Sequence, residues 1–322
     1  MSLTRRQEWR IKKIQDERIS RAKKSSQKAD NLSGTSNNFR TGIVITRFGH
    51  HLLVEDDDLN LYKCTARSNL SSIVAGDQVL IELINLDEAV ISALYDRENS
   101  LSRANKLIAS NLDEVWLVIA SEPKYQIDLI DKYLIVVQNA GLKLNLIFNK
   151  VDLIKDKNII SNDLSAYRSL GIDVIFVSAY QNDLSNLKEK LSDKNNIFVG
   201  QSGVGKSSII NLLIPDINIR VNEISEKKKL GKHTTTNTTL YHIPSGGNLI
   251  DSPGVREFQL DQFSKEEILY GFVEFNEFSN SCKYRNCIHL NEPHCAVKDA
   301  VNSKKISKER YLSYQKLISE YS

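Results

Sequence analysis

The sequence predicts a multidomain chain: an N-terminal OB-type β-barrel, a central α/β P-loop domain with circularly permuted motifs, and a C-terminal, mostly helical metal-binding domain. Three observations predict it. Short β-type runs fill residues 39–100, a glycine-rich phosphate loop sits among alternating strands and helices, and three cysteines crowd into the final segment. The implied division is 1–38 as a basic flexible arm, 39–100 as the barrel, 101–257 as the P-loop domain and 258–322 as the metal-binding helices.

The arm comes first. Residues 1–29 carry ten Lys/Arg and three Asp/Glu, a charge of +7, so a chain of net charge +3 leaves −4 for the remainder. Such an arm suits a polyanion, most simply RNA, and on charge alone a disordered solubilising tail fits equally. The Ser/Asn/Gly-rich stretch Ser33–Asn38 is not expected to hold regular structure. Next come Thr41–Arg47, Leu52–Glu55, Leu61–Ala66, Gln78–Leu83 and Ala89–Tyr95, strand-length runs bounded by turn residues. Five of them in so short a span fit a small barrel. Cys64 lies in this alternating stretch and reads as a packed core thiol.

Beyond Leu101 the buried-strand runs Glu114–Ser121, Leu144–Asn149, Val174–Ser178 and Asn196–Gly200 alternate with helical segments such as Gln126–Ala140 and Asn182–Leu191. That alternation predicts a parallel sheet covered by helices. The longest clean apolar run, Val115–Ala120, is far below the roughly 18 residues of a membrane helix. No signal-peptide core opens the chain. A cytoplasmic protein without a membrane partner is the expectation, with 41% apolar residues enough to fill ordinary cores.

Residues 200–208, GQSGVGKSS, satisfy G-x-x-x-x-G-K-[ST] after one strand and before a helix ended by Pro215. Gly200, Gly203 and Gly205 let the loop turn backbone N–H groups of Gln201, Ser202 and Val204 toward phosphates. Lys206 supplies a compact cation to the β/γ-phosphates and so to catalysis. Ser207 offers a hydroxyl to Mg²⁺, and Ser208 continues into the helix.

Upstream, a strand ends in Asn149-Lys150-Val151-Asp152, an N-K-x-D string, and another ends at Ser178-Ala179. A carboxylate such as Asp152 accepts from guanine's ring N–H and amine; adenine offers no such donors and would strand it at a cost of several kcal/mol. A backbone N–H at Ser178-Ala179 suits the guanine carbonyl. Downstream, Asp251-Ser252-Pro253-Gly254 forms D-x-x-G, with Asp251 for Mg²⁺ and the Gly254 N–H for the γ-phosphate. The basic stretch between them, Lys232-His233-Thr234-Thr235-Thr236, reads as a switch, Thr235 being the candidate for Mg²⁺.

Most GTPases run P-loop, switch threonine, D-x-x-G, N-K-x-D, S-A. Here the last two come first, an order that circular permutation explains without moving a strand. Val255 stands where many GTPases place a water-orienting Gln, so unaided GTP hydrolysis is expected to be slow. His233 is the candidate for the missing catalytic role, with a surface histidine in a switch loop as the standing alternative. An ATP-using kinase is disfavoured by Asn149 and Asp152. A GTP-gated binding module differs from an enzyme in whether Lys206 or Asp251 variants still dock.

In the tail, Cys282-x₄-Cys287-x-His289-x₅-Cys295 offers three thiolates and an imidazole, a closed tetrahedral set for one structural Zn²⁺. His294 is the rival fourth ligand, disfavoured by its adjacency to Cys295. Tyr314, Leu317, Ile318 and Tyr321 share one helical face, read as a packing stripe.

These strings in this order resemble the ribosome small-subunit-dependent GTPases (RsgA, also YjeQ) over nearly the whole chain, including Gly76-Asp77 and the Arg97-x-x-x-Leu101-x-Arg103 junction. The resemblance implies a monomeric late-stage assembly factor that binds the small ribosomal subunit and its rRNA through the barrel and zinc domains. It further implies cycling between GTP and GDP, stimulation by the subunit, and release of itself or another assembly factor. The family's switch histidine falls on His233. Gly231-Lys232, where Gly-Arg is expected, is a mild departure.

Overall fold

The computed structural model describes residues 5–31, 38–68, 70, 72–103, 106–154, 157–217, 238–252, 258, 260 and 263–320. The five barrel strands are β1 (Phe39–Phe48), β2 (His51–Asp56), β3 (Leu61–Ala66), β4 (Gln78–Leu83) and β5 (Glu88–Leu94). They run in the order β1-β2-β3-β5-β4, and β4 returns to β1, so the barrel closes on itself and leaves no long free edge. Alternate residues turn inward: Val44, Val54, Tyr62, Cys64, Val79, Ile81 and Ile91 form the filling. Gly76 sits at φ +90 with Ser110 O 2.2 Å from where a Cβ would stand, so only glycine fits. The neighbouring Asp77 is fully buried and accepts from Arg97 (2.6 and 2.7 Å), Ser110 (2.6 Å) and the Val74 amide (2.9 Å). It thereby ties the barrel to the hairpin β6 (Ser100–Arg103)–β7 (Lys106–Ser110).

Within the basic arm the described residues 5–31 are helical. Residues Arg5–Asn31 form helix α1, about 40 Å long at 1.5 Å per residue. Arg, Lys, Gln and Glu are good helix formers, and the barrel wall supplies what propensity alone does not. Arg18 donates to Ser92 O (2.7 Å), the Leu94 amide donates to Gln15 (3.1 Å), and Ala22 packs on Leu80 and Ala93.

The central sheet comprises β8 (Glu114–Ala120), β9 (Lys143–Asn149), β10 (Val174–Phe176), β11 (Asn195–Val199), β12 (Thr239–His242) and β13 (Asn248–Asp251). Its order is β10-β9-β8-β11-β13-β12, parallel except for β12. Helices α2 (Ile127–Asn139), α3 (Lys157–Asp163), α4 (Ser165–Ser169), α5 (Ser185–Leu191) and α6 (Lys206–Leu213) accompany it. Every residue of β8 is buried. Val115, Leu117 and Ile119 face one core, while Trp116, Val118 and Ala120 face the other, the period of two expected of a sheet covered on both faces. At its edge, β12 meets barrel strand β1 at Thr46↔Thr239, joining barrel and sheet.

The tail contains α7 (Lys265–Tyr270), α8 (Asn276–Ser279), α9 (Ala296–Asn302) and α10 (Lys308–Glu320). Ser264 and Glu267 form a reciprocal capping box that starts α7. Tyr314, Leu317 and Ile318 are buried, as their shared face predicts, and Tyr321 lies outside the described residues. Arg310 of α10 is 1% exposed and joins Asp131 of α2 to Glu274 (2.8 and 2.9 Å). Its guanidinium lies 4.5 Å from the Phe272 ring centroid. Among the described residues no helix is long and apolar enough to cross a membrane.

Candidate functional site

Four loops at the C-terminal ends of parallel strands carry the nucleotide motifs, the usual ligand position in such sheets. After β11 the chain turns through Gly200, Gly203 and Gly205 at φ +133, +83 and +94 and enters α6 at Lys206. The glycines are required by space as well as by torsion. A Cβ at Gly200 would meet Val118 O at 2.4 Å, and one at Gly205 would meet Asn149 Nδ2 at 2.2 Å. Val204 is buried, anchoring the loop, while Ser202, Ser207 and Ser208 are exposed and Gln201 is half-buried. Lys206 Nζ donates to the Gly200 and Gln201 carbonyls at 2.6 Å each, which holds the ammonium over the loop.

Asn149 is the strut of the site. Its Nδ2 donates to Val204 O (2.9 Å) and its Oδ1 accepts from the Ala179 amide (3.1 Å), so one buried side chain joins N-K-x-D, P-loop and S-A. The Ala179 amide is thus engaged by Asn149. Lys150 adopts the left-handed conformation, φ +61, and donates to Glu122 O (2.6 Å). Val151 is buried and its amide meets Val177 O (3.3 Å), fixing the start of the 3-10 turn. Asp152 is half-buried, and its Oδ1 accepts from Ser178 Oγ at 2.5 Å. Ser178 in turn accepts from the Gln181 amide (3.1 Å), so its hydroxyl hydrogen is directed at the carboxylate.

Asp251 ends β13, paired with Phe198 of β11 just before the P-loop. Burial raises its carboxyl above the ordinary range, and the charge of Lys206 pulls it back down. A hard oxygen donor beside a phosphate loop, with the Ser207 hydroxyl at the helix start, is the donor chemistry magnesium takes. His233, Thr235, Gly254 and Val255 lie outside the described residues.

The second cluster is in the tail. Cys282, Cys287, His289 and Cys295 bring their ligand atoms within 4.8 Å of one another. Ser279 Oγ donates to Phe275 O (2.7 Å), so it accepts from His289 Nε2 (3.2 Å). That leaves Nδ1 unprotonated, facing Cys295 Sγ at 3.4 Å and Cys282 Sγ at 3.6 Å. Burial and the adjoining thiols push Cys287 up to about 12 and raise Cys295, a cost that a divalent cation offsets. The quartet can therefore hold a tetrahedral metal ion. His294 is not part of it. Ser279 carries no sequence signal as a partner of His289, because only the fold brings α8 beside the cysteine loop.

The family described as RsgA GTPase matches residues 94–261. A Haemophilus influenzae protein named small ribosomal subunit biogenesis GTPase RsgA is 40% identical over 99% of this chain and 95% of its own length. A Pseudomonas aeruginosa protein of the same name is 40% identical over 98% and 96%. Among solved structures, YjeQ from Thermotoga maritima is similar with a TM-score of 0.75 and 29% identity, covering 88% of this chain and 98% of its own. YloQ, described as a circularly permuted GTPase, gives 0.73 and 28% over 90% and 97%.

Proposed function

The chain belongs to the RsgA GTPase family and is a GTPase, and on that premise we propose that it hydrolyses GTP during late maturation of the small ribosomal subunit. The observation that carries the reading is the Asn149 strut, which gathers the permuted motifs into one nucleotide site. Asp152 selects guanine, its carboxylate oriented by Ser178 and still open to the ring N–H and amine. Gly200–Ser208 cradles the phosphates, and Lys206 leaves its two loop carbonyls for the β/γ-phosphate oxygens. Ser207 and Asp251, with Thr235 from the switch, hold Mg²⁺, which supplies charge neutralisation when bound. Gly254 meets the γ-phosphate, and His233 orients the attacking water.

The Cys282/Cys287/His289/Cys295 quartet takes one structural Zn²⁺, since four protein ligands leave no open position. RNA binding is supported by the basic helix α1, where Lys13 lies 5.3 Å from the centroid of the exposed Trp9 ring. A barrel groove of about 400 Å³ lined by Arg47, His50 and Arg67 supports it too. We place the protein in the cytoplasm as a monomer, with hydrolysis releasing it or another assembly factor from the subunit.

The test is GTP turnover measured alone, with small subunits and with large ones. A slow basal rate raised many-fold by the small subunit alone is the expected outcome. Equal rates in all three mixtures would overturn the assembly reading and leave only the GTPase.

A further inference from the structure

Among the described residues barrel strand β1 pairs with the nucleotide sheet at Thr46↔Thr239, and that pair lies on the same cross-strand row as Asp251. Thr46 of β1 stands opposite Thr239 of β12, which stands opposite Asp251 of β13, which stands opposite Phe198 of β11. The pairing of β1 with β2 shifts register between Val44 and Thr46. Such a bulge re-aims a side chain, and here the Thr46 hydroxyl meets the sheet.

The contact is polar and dry. Thr46 is 0% exposed and Thr239 8%. Thr46 Oγ1 donates to Thr238 O (3.0 Å) and accepts from Thr239 Oγ1 (3.0 Å). Thr238 Oγ1 lies 3.2 Å from Ser252 Oγ, on the residue that follows Asp251. The strand end carrying Asp251 is therefore held by backbone pairing to Thr239 and by the hydroxyl contact from Thr238 to Ser252. Thr46 anchors both threonines.

We infer that Thr46, supplied by the barrel, is a positioning residue for the Asp251 carboxylate and so for Mg²⁺-dependent nucleotide handling. The inference rests on the reading that Asp251 serves Mg²⁺. It deepens that reading by making the barrel part of the GTPase site. Removing the Thr46 hydroxyl takes a donor from Thr238 O and an acceptor from the Thr239 hydroxyl, and the strand end shifts to recover bonds. A shift of about 1 Å at a positioned group is enough to cost on the order of 100-fold. Rearrangement of the barrel by a bound partner would reach Asp251 by the same route.

The test uses full-length, zinc-loaded protein and the Mg²⁺ dependence of release of a fluorescent GDP analogue, alongside GTP turnover. Thr46→Val is expected to raise the half-saturating Mg²⁺ concentration about tenfold, with GDP affinity in chelator unchanged. Thr46→Ser keeps the hydroxyl and is expected to behave as wild type. Ser252→Ala breaks the other end of the chain and is expected to shift Mg²⁺ dependence in the same direction, so the inference is testable even if Thr46→Val folds poorly. Wild-type Mg²⁺ dependence in both Thr46→Val and Ser252→Ala, beside loss of it in Asp251→Asn, would overturn the role of Thr46 and keep that of Asp251. Wild-type Mg²⁺ dependence in Asp251→Asn would overturn the premise and the inference together.

Discussion

The nucleotide sheet has two seams, one with the barrel and one with the metal-binding tail, and they are built differently. The barrel seam is the thinner one: beside Ile45 and Leu53, which join the sheet's apolar core, it has the Thr46–Thr239 pair with its hydroxyls, and His242 between Glu55 (2.5 Å) and Asn248 (2.6 Å). The tail seam is thick: α10 lies along α2, Phe272, Phe275 and Tyr314 pack ring against ring, and Arg310 is buried against Asp131 and Glu274. A few hydroxyls can be displaced at small cost, whereas a desolvated charge cluster set in aromatic packing moves as a body or not at all. The tail is thus bolted to the sheet, and the barrel meets it along the row that carries Asp251.

The strongest way to break the contrast is metal removal. Tyr311 and Tyr314 donate to the carbonyls of His289 and Ile288 (2.7 and 2.6 Å), so the metal loop braces α10. Chelation is expected to expose 280–295 to protease and loosen α10, structural zinc sites contributing on the order of 10 kcal/mol. Guanine-nucleotide binding should persist. Limited proteolysis and nucleotide titration of the same sample check both halves.

Next in size is Asp131→Ala. It leaves Arg310 without one buried partner and is expected to lose about 3–5 kcal/mol in denaturant unfolding. Replacing the set together by apolar residues (Asp131→Leu, Glu274→Leu, Arg310→Met) is expected to recover most of that loss. If the single and the combined variants are equally unstable, the cluster is not the bolt.

Asp56 provides a smaller, pH-dependent effect inside the barrel. Burial alone would raise its carboxyl, but hydrogen bonds from Asn60, Tyr62 and the Asp58 amide outweigh it and hold it below its usual 3.8. A depressed folded value stabilises above the unfolded one and is lost as pH falls through the folded value. Asp56→Asn should therefore cost about 2 kcal/mol at neutral pH. The gap from wild type should close as unfolding is measured progressively below pH 3.8. The least effect is expected at the thin seam: Glu55→Gln should change stability by about 1 kcal/mol or less, because the His242 side chain is 41% exposed. A loss as large as that of Asp131→Ala would erase the distinction between the seams.

The parts of the candidate nucleotide site were legible because they are contiguous strings. Gly200, Gly203, Gly205 and Lys206 form one loop, and Asn149 and Asp152 one strand end, whatever surrounds them. Strand positions were legible for a related reason, since burial on one or both faces leaves a period-two or continuous apolar record along the chain. Helix α1 was not legible. Its apolar residues are few, and its docking depends on Ser92, Leu94 and Asp96, more than seventy residues away. The bond from the Ala179 amide to Asn149, thirty residues away, was not legible for a like reason.

The sequence by itself determined which groups this protein brings to chemistry: a phosphate-loop string, an N-K-x-D string and a D-x-x-G string in permuted order, and a Cys₃His set. Local strings suffice because each group needs only its own loop to be presented. Tertiary structure alone decided how the parts are joined. Thr46 meets Thr239, and Arg310 meets Asp131, across 193 and 179 residues. A threonine or a charged side chain carries no mark of a partner that distant until the fold buries both and each must find a hydrogen bond.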